Sequence, residues 1–167
     1  MRVVLDTNVI VSGLLTPQGA PGQLLRLHAE GAFEMVLSPL LLEELSGVLE
    51  RPHVMLLHER DLILGHLRSE ATIVVDQAAR HPSLPTDPDD VYLLDLAVNS
   101  AAILVSGDRA LQRLAATALV LSPRALLEAL SPDPENFEDA PESMAGLGHV
   151  PIVVDRARQT TLREVAG

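Results

Sequence analysis

The chain has 167 residues, of which 47% are hydrophobic and 21% are charged, a length that suits one domain with room for an appendage. The absence of cysteine excludes disulfides, thiolate metal sites and a cysteine nucleophile. The formal net charge is -11 and every basic residue is arginine, so the overall field repels phosphate. Action on nucleic acid would therefore require a local reversal of that field, by bound metal or clustered arginine.

Short apolar strands alternate with amphipathic helices along the first 130 residues. The predicted strands are 2–6, 33–37, 72–76, 103–106 and 118–121. The predicted helices are 21–30, 38–50, 59–70, 89–101, 108–114 and 122–130. A loop containing Gly13, Pro17 and Gly19 is predicted after the first strand, and a Pro-rich loop over residues 78–88. Short apolar strands between helices predict a three-layer α/β/α sandwich with a central, mostly parallel sheet.

Two aspartates follow strands of this predicted sheet. Asp6 ends the first strand, and Asp108 follows the fourth in the run Ser106-Gly107-Asp108. Ligands in such sheets bind beyond the carboxyl ends of the strands, which is where both carboxylates are expected. The alternative is that Asp6 caps a turn and Asp108 caps the next helix, and this role is compatible with facing the crevice.

Helical phase singles out one further acid on each of two helices. At about 100° per residue, Glu44 lies on the flank of the apolar stripe of its helix, whereas Glu43 lies nearly opposite that stripe. On the later helix, Asp90 falls near the middle of the apolar face and Asp95 points away from it. An unpaired charge at a buried edge is unfavourable, so we expect a metal or an Arg partner beside Glu44.

Four acids are thus expected at one crevice: Asp6, Glu44, Asp90 and Asp108. Four neighbouring carboxylates repel one another unless cations hold them together. Oxygen-rich sites suit Mg²⁺ or Mn²⁺, whereas the six histidines show no zinc-site spacing. The sequence therefore predicts a Mg²⁺ or Mn²⁺ site.

Four blocks of the chain, in the same order and spacing, resemble those of PIN domains. The opening MRVVLDTNV resembles the first block, and residues 38–52 resemble the second. Asp87-Pro88-Asp89-Asp90 resembles the third, and Ser106-Gly107-Asp108 the fourth, where Thr is commoner than Ser. The resemblance covers residues 1–130 and is greatest to bacterial PIN proteins described as toxins of toxin–antitoxin systems, related to VapC-type toxins.

This resemblance implies a PIN sandwich with Mg²⁺- or Mn²⁺-dependent endoribonuclease activity. Bound metal would neutralise the phosphodiester and lower the pKa of the attacking water. The resemblance also implies an RNA substrate, an antitoxin partner and a homodimer. Residues matching the acidic quartet are Asp6, Glu44, Asp90 and Asp108; Asn8 and Ser106 match polar positions that assist metal or phosphate, and Asp87 matches a frequent extra acid.

Three other functions have sequence requirements that can be set beside those of a PIN nuclease. A haloacid-dehalogenase-like phosphatase needs an acid where this chain has Asn8, and it needs a Lys that the chain lacks. A response-regulator receiver needs paired acids near the first strand and a late Lys, and neither is present. A non-catalytic PIN-fold module that binds RNA or protein stays open, because a fold does not by itself determine activity.

The C-terminal part of the chain differs in composition from the predicted 1–130 domain. Residues 131–149 are acidic and Pro-rich, which predicts a linker, and residues 150–154 could form an edge strand. Three arginines follow within 150–167, and one hypothesis is that this tail docks on the domain and brings an Arg near the acids. The alternative is a disordered terminus.

No apolar run reaches the length of a membrane span, and we expect a cytoplasmic protein.

Overall fold

The computed structural model describes residues 1–51, 54, 57–76, 88–113 and 119–130, without the side chains of residues 57 and 88–90. All of these residues belong to one compact unit, Met1–Pro132. The predicted linker 131–149, the C-terminal segment 150–167 and nearly all of the predicted 78–88 loop lie outside the described residues. Predictions about those segments therefore stay predictions.

Five short strands form one sheet, and every strand pairing in the described part of the chain is parallel. The strands are β1 (Arg2–Leu5), β2 (Glu34–Leu37), β3 (Thr72–Ile73), β4 (Ile103–Val105) and β5 (Val120–Leu121). Their order across the sheet is β3-β2-β1-β4-β5. Helices flank this sheet, which confirms the predicted α/β/α sandwich.

The helices follow the predicted pattern with one addition. They are α1 (Thr7–Leu15), α2 (Ala20–Ala29), α3 (Pro39–Leu49), α4 (Leu57–Glu70), α5 (Pro88–Asn99), α6 (Arg109–Gln112) and α7 (Pro123–Leu130). Ser38 caps α3, because its Oγ accepts a hydrogen bond from Leu41 N at 3.3 Å. Pro88, predicted to end a loop, instead begins α5, where a missing N–H costs nothing.

Helix α1 replaces the first half of the loop predicted around Gly13. That prediction was wrong because Gly13 serves packing rather than a turn. A Cβ at Gly13 would lie 2.7 Å from Leu25 Cδ1 and 3.0 Å from the Pro21 carbonyl oxygen, so only glycine allows α2 to approach α1 this closely. The structural cause is thus a contact with another helix, which turn statistics cannot reveal.

The core is aliphatic, which follows from a chain in which only 2% of residues are aromatic. Three residues of β1 and three of β2 are completely buried: Val3, Val4, Leu5, Met35, Val36 and Leu37. Continuous burial along a strand is typical of a parallel sheet covered on both faces. None of the helices within the described residues is long and apolar enough to cross a membrane.

The strand order reverses at β1, and this reversal positions the site. The chain runs outward from β1 through β2 to β3, then returns through α5 to β4, which pairs with the other side of β1. Parallel α/β sheets bind ligands beyond the carboxyl ends of their strands at such a switch point. The fold therefore directs attention to the residues that follow β1 and β4.

Candidate functional site

Asp6 lies directly after β1 and is buried, with 6% of its surface exposed. Its backbone N–H donates to the Val105 carbonyl at 3.0 Å, which continues the pairing of β1 with β4. Its Oδ1 accepts from Asn8 N at 2.9 Å and so caps α1. Its Oδ2 accepts from the Ser106 hydroxyl at 2.5 Å. The capping role named as an alternative is therefore real, and it coexists with a position at the switch point.

Ser106 and Asp108 continue this array from the end of β4. Ser106 is completely buried, and its Oγ accepts from Asp108 N at 3.0 Å while donating to Asp6. Asp108 is exposed and caps α6 through Ala110 N, as predicted. Gln112 Nε2 donates to the Ser106 carbonyl at 2.8 Å and holds the turn. The structure thus brings Asp6, Ser106 and Asp108 together at one edge of the sheet.

Glu44 and its neighbour Glu43 are both exposed on α3. Because they are adjacent on a helix, their side chains point in different directions. The Tyr92 hydroxyl of α5 donates a hydrogen bond to Glu44 Oε2. The Arg partner considered from the sequence is not found among the described residues, where Tyr92 takes that place. Sequence reasoning missed Tyr92, although it is the single tyrosine of the chain and lies two residues after Asp90.

The hydroxyl of Tyr92 also lies close to the end of β1. Burial raises the pKa of Tyr92 well above its ordinary value, the hydrogen bond to the Glu44 carboxylate raises it further, and the negative charge of Asp6 adds a smaller effect. Thr7 has the opposite effect and lowers the pKa of Tyr92. The Oγ1 of Thr7 is completely buried and has no hydrogen-bond partner among the described residues. The Tyr92 hydroxyl therefore bonds Glu44 and lies within electrostatic reach of Asp6.

The other predicted site residues are placed less fully. Asp90 lies in the first turn of α5, but its side chain is not described. Asp87 lies outside the described residues. Asn8 is exposed in the first turn of α1, and its backbone N–H, rather than its amide group, contacts Asp6.

Asp95 differs from the surface position that its helical phase suggests. It points away from the main apolar arc of α5, yet only 4% of it is exposed, and its Oδ2 has no hydrogen-bond partner among the described residues. The segment Val74–Asp76, which follows β3, lines a small cleft with it and covers that side of the helix. Val98, predicted to lie on the apolar face, is 42% exposed. The helical phase of a residue on α5 therefore does not by itself predict whether its side chain is buried.

The carboxylates near the switch point offer the oxygen donors that a hard divalent cation prefers. Among the described side chains, no group of three or more acids or histidines is placed to hold one ion, and the Asp90 side chain is not part of that set. The carboxylate of Asp6 is nevertheless buried without an ion pair to any basic side chain that the structure describes. A buried anion with neutral donors and oxygen neighbours is the chemistry that suits Mg²⁺ or Mn²⁺.

Comparison with known proteins finds a relative in sequence and a relative in fold. The uncharacterized protein MJ1680 of Methanocaldococcus jannaschii is 31% identical over 111 residues, which cover 65% of this chain and 72% of the relative. A chain in the crystal structure of VapBC2 from Rickettsia felis, bound to a DNA fragment from its promoter, matches with a TM-score of 0.56 and 18% identity. That match covers 73% of this chain and 98% of the other, and it shows a shared fold.

A family model provides the assignment. The PIN domain model matches residues 2–110, a range that includes Asp6, Glu44, Asp90 and Asp108. The resemblance predicted from the four sequence blocks is confirmed, and the chain belongs to the PIN-domain family.

Proposed function

We propose that this protein is a metal-dependent endoribonuclease that hydrolyses RNA phosphodiester bonds. The observation that carries the proposal is the buried Asp6 carboxylate, hydrogen-bonded to Ser106 beside Asp108 at the switch point of the sheet. Proteins with PIN domains are generally nucleases, and this chain belongs to that family. The same edge of the sheet is where parallel α/β folds bind their ligands.

Each acid has a proposed role at the site. Asp6, Asp90 and Asp108, with Glu44 beside them, would hold Mg²⁺ or Mn²⁺, and Asn8, Ser106 and Asp87 would assist in binding metal or phosphate. When bound, the metal neutralises the phosphodiester and lowers the pKa of the attacking water. The protein's own part is positional: Asn8 N and Ser106 Oγ each bind one oxygen of Asp6 and fix the plane of that carboxylate.

The charge of the chain supports a cation requirement for RNA binding. With a net charge of -11, the protein repels the phosphates of RNA at long range. Bound divalent cations would reverse that field locally, at the point where the scissile phosphate must approach. We therefore expect weak RNA binding without metal and stronger binding with it.

A cleavage assay tests the proposed activity. The full chain is incubated with a labelled single-stranded RNA, or with DNA of the same sequence, in Mn²⁺, in Mg²⁺ or in a chelator. The proposal expects internal cleavage of RNA that requires the cation, with DNA left intact. Absence of RNA cleavage in both metals would contradict it, and cleavage of DNA alone would contradict the choice of RNA.

A non-catalytic PIN-fold module that binds RNA or protein is the second candidate. It stays open because a fold does not by itself determine activity. Metal-independent RNA binding without any cleavage would support this function over the nuclease.

We also propose that the protein is the toxin of a toxin–antitoxin pair. The shared fold with a chain of VapBC2 supports this, and the acidic charge suits a basic partner segment. Expression of the chain alone should arrest growth, and co-expression of a small protein encoded by the adjacent gene should relieve the arrest. Normal growth of cells producing the unaltered chain would contradict the toxin role.

A homodimer is the third proposed association. Exposed apolar side chains support it, since Leu62 is 71% exposed and Val75 is 75% exposed in the described part of the chain. Light scattering at micromolar concentration should give twice the mass of one chain. A mass equal to one chain would remove the proposal.

A further inference from the structure

One hydrogen bond joins two elements that are far apart in the chain and meet at the proposed site. The Tyr92 hydroxyl of α5 donates to Glu44 Oε2 of α3, across 48 positions of sequence. Helix α3 belongs to the part of the chain that leads from β1 to β3, and α5 carries the chain back to β4. The contact therefore connects both sides of the switch point.

Glu44 depends on this contact for its orientation. It is an exposed glutamate, and it has neither an ion pair nor a second hydrogen-bond donor within the described residues. A free glutamate side chain samples several rotamers, and fixing it costs up to about 2 kcal/mol of conformational entropy. A donor that holds the carboxylate before a ligand arrives removes part of that cost from binding.

Tyr92 is itself held firmly enough to act as such a donor. Its ring is half-buried on α5 and lines a small cleft with the segment Val74–Asp76 that follows β3. Its hydroxyl also lies within electrostatic reach of Asp6 at the end of β1. The hydrogen bond is charge-assisted, and such bonds are stronger than those between neutral groups.

We infer that Tyr92 is a positioning residue of the acidic site, whose hydroxyl holds the Glu44 carboxylate in place for a divalent cation beside Asp6. The inference rests on the proposed function, because it takes the metal site from there. Tyr92 touches neither the cation nor the substrate and acts through Glu44. Partners of this kind change metal affinity by about 10- to 100-fold when they are removed.

Calorimetric titration of the full chain with Mn²⁺ tests the inference. Tyr92→Phe keeps the ring and removes only the hydroxyl, and it should weaken Mn²⁺ binding by about 10-fold. In a Glu44→Gln background the same change should have no further effect, because the partner carboxylate is already absent. A purely structural role would lower the melting temperature and leave the Mn²⁺ affinity unchanged.

Tyrosine fluorescence detects the Tyr92–Glu44 hydrogen bond in the metal-free protein. The chain has one tyrosine and no tryptophan, so its emission comes from Tyr92 alone. A carboxylate bonded to the phenol quenches that emission, so Glu44→Gln should brighten the metal-free protein, whereas Glu43→Gln should not. Equal emission in all three proteins would overturn the contact.

The outcomes separate the inference from the proposed function. An unchanged Mn²⁺ affinity in Tyr92→Phe, or an equal loss in both backgrounds, overturns the inference and leaves the nuclease proposal standing. Failure of the unaltered chain to bind Mn²⁺ overturns both.

Discussion

Two buried carboxylates, at the end of β1 and in the middle of α5, have opposite surroundings. Asp6 is 6% exposed and Asp95 is 4% exposed, so burial alone does not distinguish them. Both oxygens of Asp6 accept hydrogen bonds, from Asn8 N and Ser106 Oγ. Asp95 Oδ2 accepts none from the described residues. The environment of each carboxylate therefore decides its role, because a carboxylate fixed by one hydrogen bond on each oxygen keeps a lone pair on each for a ligand.

Their positions in the fold explain the contrast. Asp6 follows a strand at the switch point, where the Asn8 N–H of α1 and the Ser106 hydroxyl after β4 both donate to its carboxylate. Asp95 lies within a helix whose backbone donors are already used, and the apolar residues Val74 and Val75 line the adjacent cleft. We expect substitution of the first to change function and substitution of the second to change stability.

Substitution of Asp6 should have the largest effect. Asp6→Asn removes the charge that would hold the cation, so RNA cleavage should fall by at least about 100-fold, since even indirect partners of a metal cost that much. Asn is an equally good helix cap, so the fold should be intact. Cleavage assays with circular dichroism check both points, and Asp95→Asn is the matched control for loss of a buried charge. Full cleavage by a folded Asp6→Asn protein would show that the site is assigned wrongly.

The adjacent glutamates Glu43 and Glu44 of α3 extend the comparison to a second proposed metal-binding carboxylate. Glu44→Gln should weaken Mn²⁺ binding by about 10-fold, because it removes a charge beside the site, whereas Glu43→Gln should leave binding unchanged. Both residues are exposed on the same helix, so the two variants differ chiefly in the direction in which the substituted side chain points. Calorimetry measures the affinities. Equal losses would indicate a general effect of net charge instead of a ligand role.

Asp95 provides the stability side of the comparison. Asp95→Asn removes a buried charge with an unpartnered oxygen, so the free energy of unfolding should rise by about 1 kcal/mol, while cleavage should be retained. Thermal and denaturant unfolding measure the change. A loss of stability would reveal that a residue beyond the described part of the chain stabilises the charge.

An exposed acid at the opposite end of the strands should have the smallest effect. The hydrogen bond from Thr72, followed by that from Arg2, lowers the pKa of Glu34 below its ordinary value. Its ionised form therefore stabilises the fold above the pKa of the unfolded chain, and this contribution is lost as the pH falls through the lowered pKa.

Glu34→Gln should accordingly destabilise the protein by only a few tenths of a kcal/mol (about 0.3) at neutral pH, because the side chain is 42% exposed. The difference from the unaltered chain should vanish in acid. Melting curves across the acidic range check this. A difference that grows as the pH falls would contradict the assigned sign.

The sequence predicted the capping positions of Asp6 and Asp108 because those contacts are local. Asp6 and Asp108 were identified from their positions after strands, and each caps the helix that begins at the next residue. Ser38 at the start of α3 follows the same rule. Caps and strand ends involve residues within a few positions of each other, so the order of residue types carries the information.

The sequence by itself determined the alternation of strands and helices, the aliphatic core and the acids at the strand ends. Only the tertiary structure decided the burial of Asp95, the helical packing at Gly13 and the bond from Tyr92 to Glu44. Each of these depends on segments that the fold brings together from distant parts of the chain. Periodicity records the phase of a side chain on its own helix, whereas burial depends on what packs against that side.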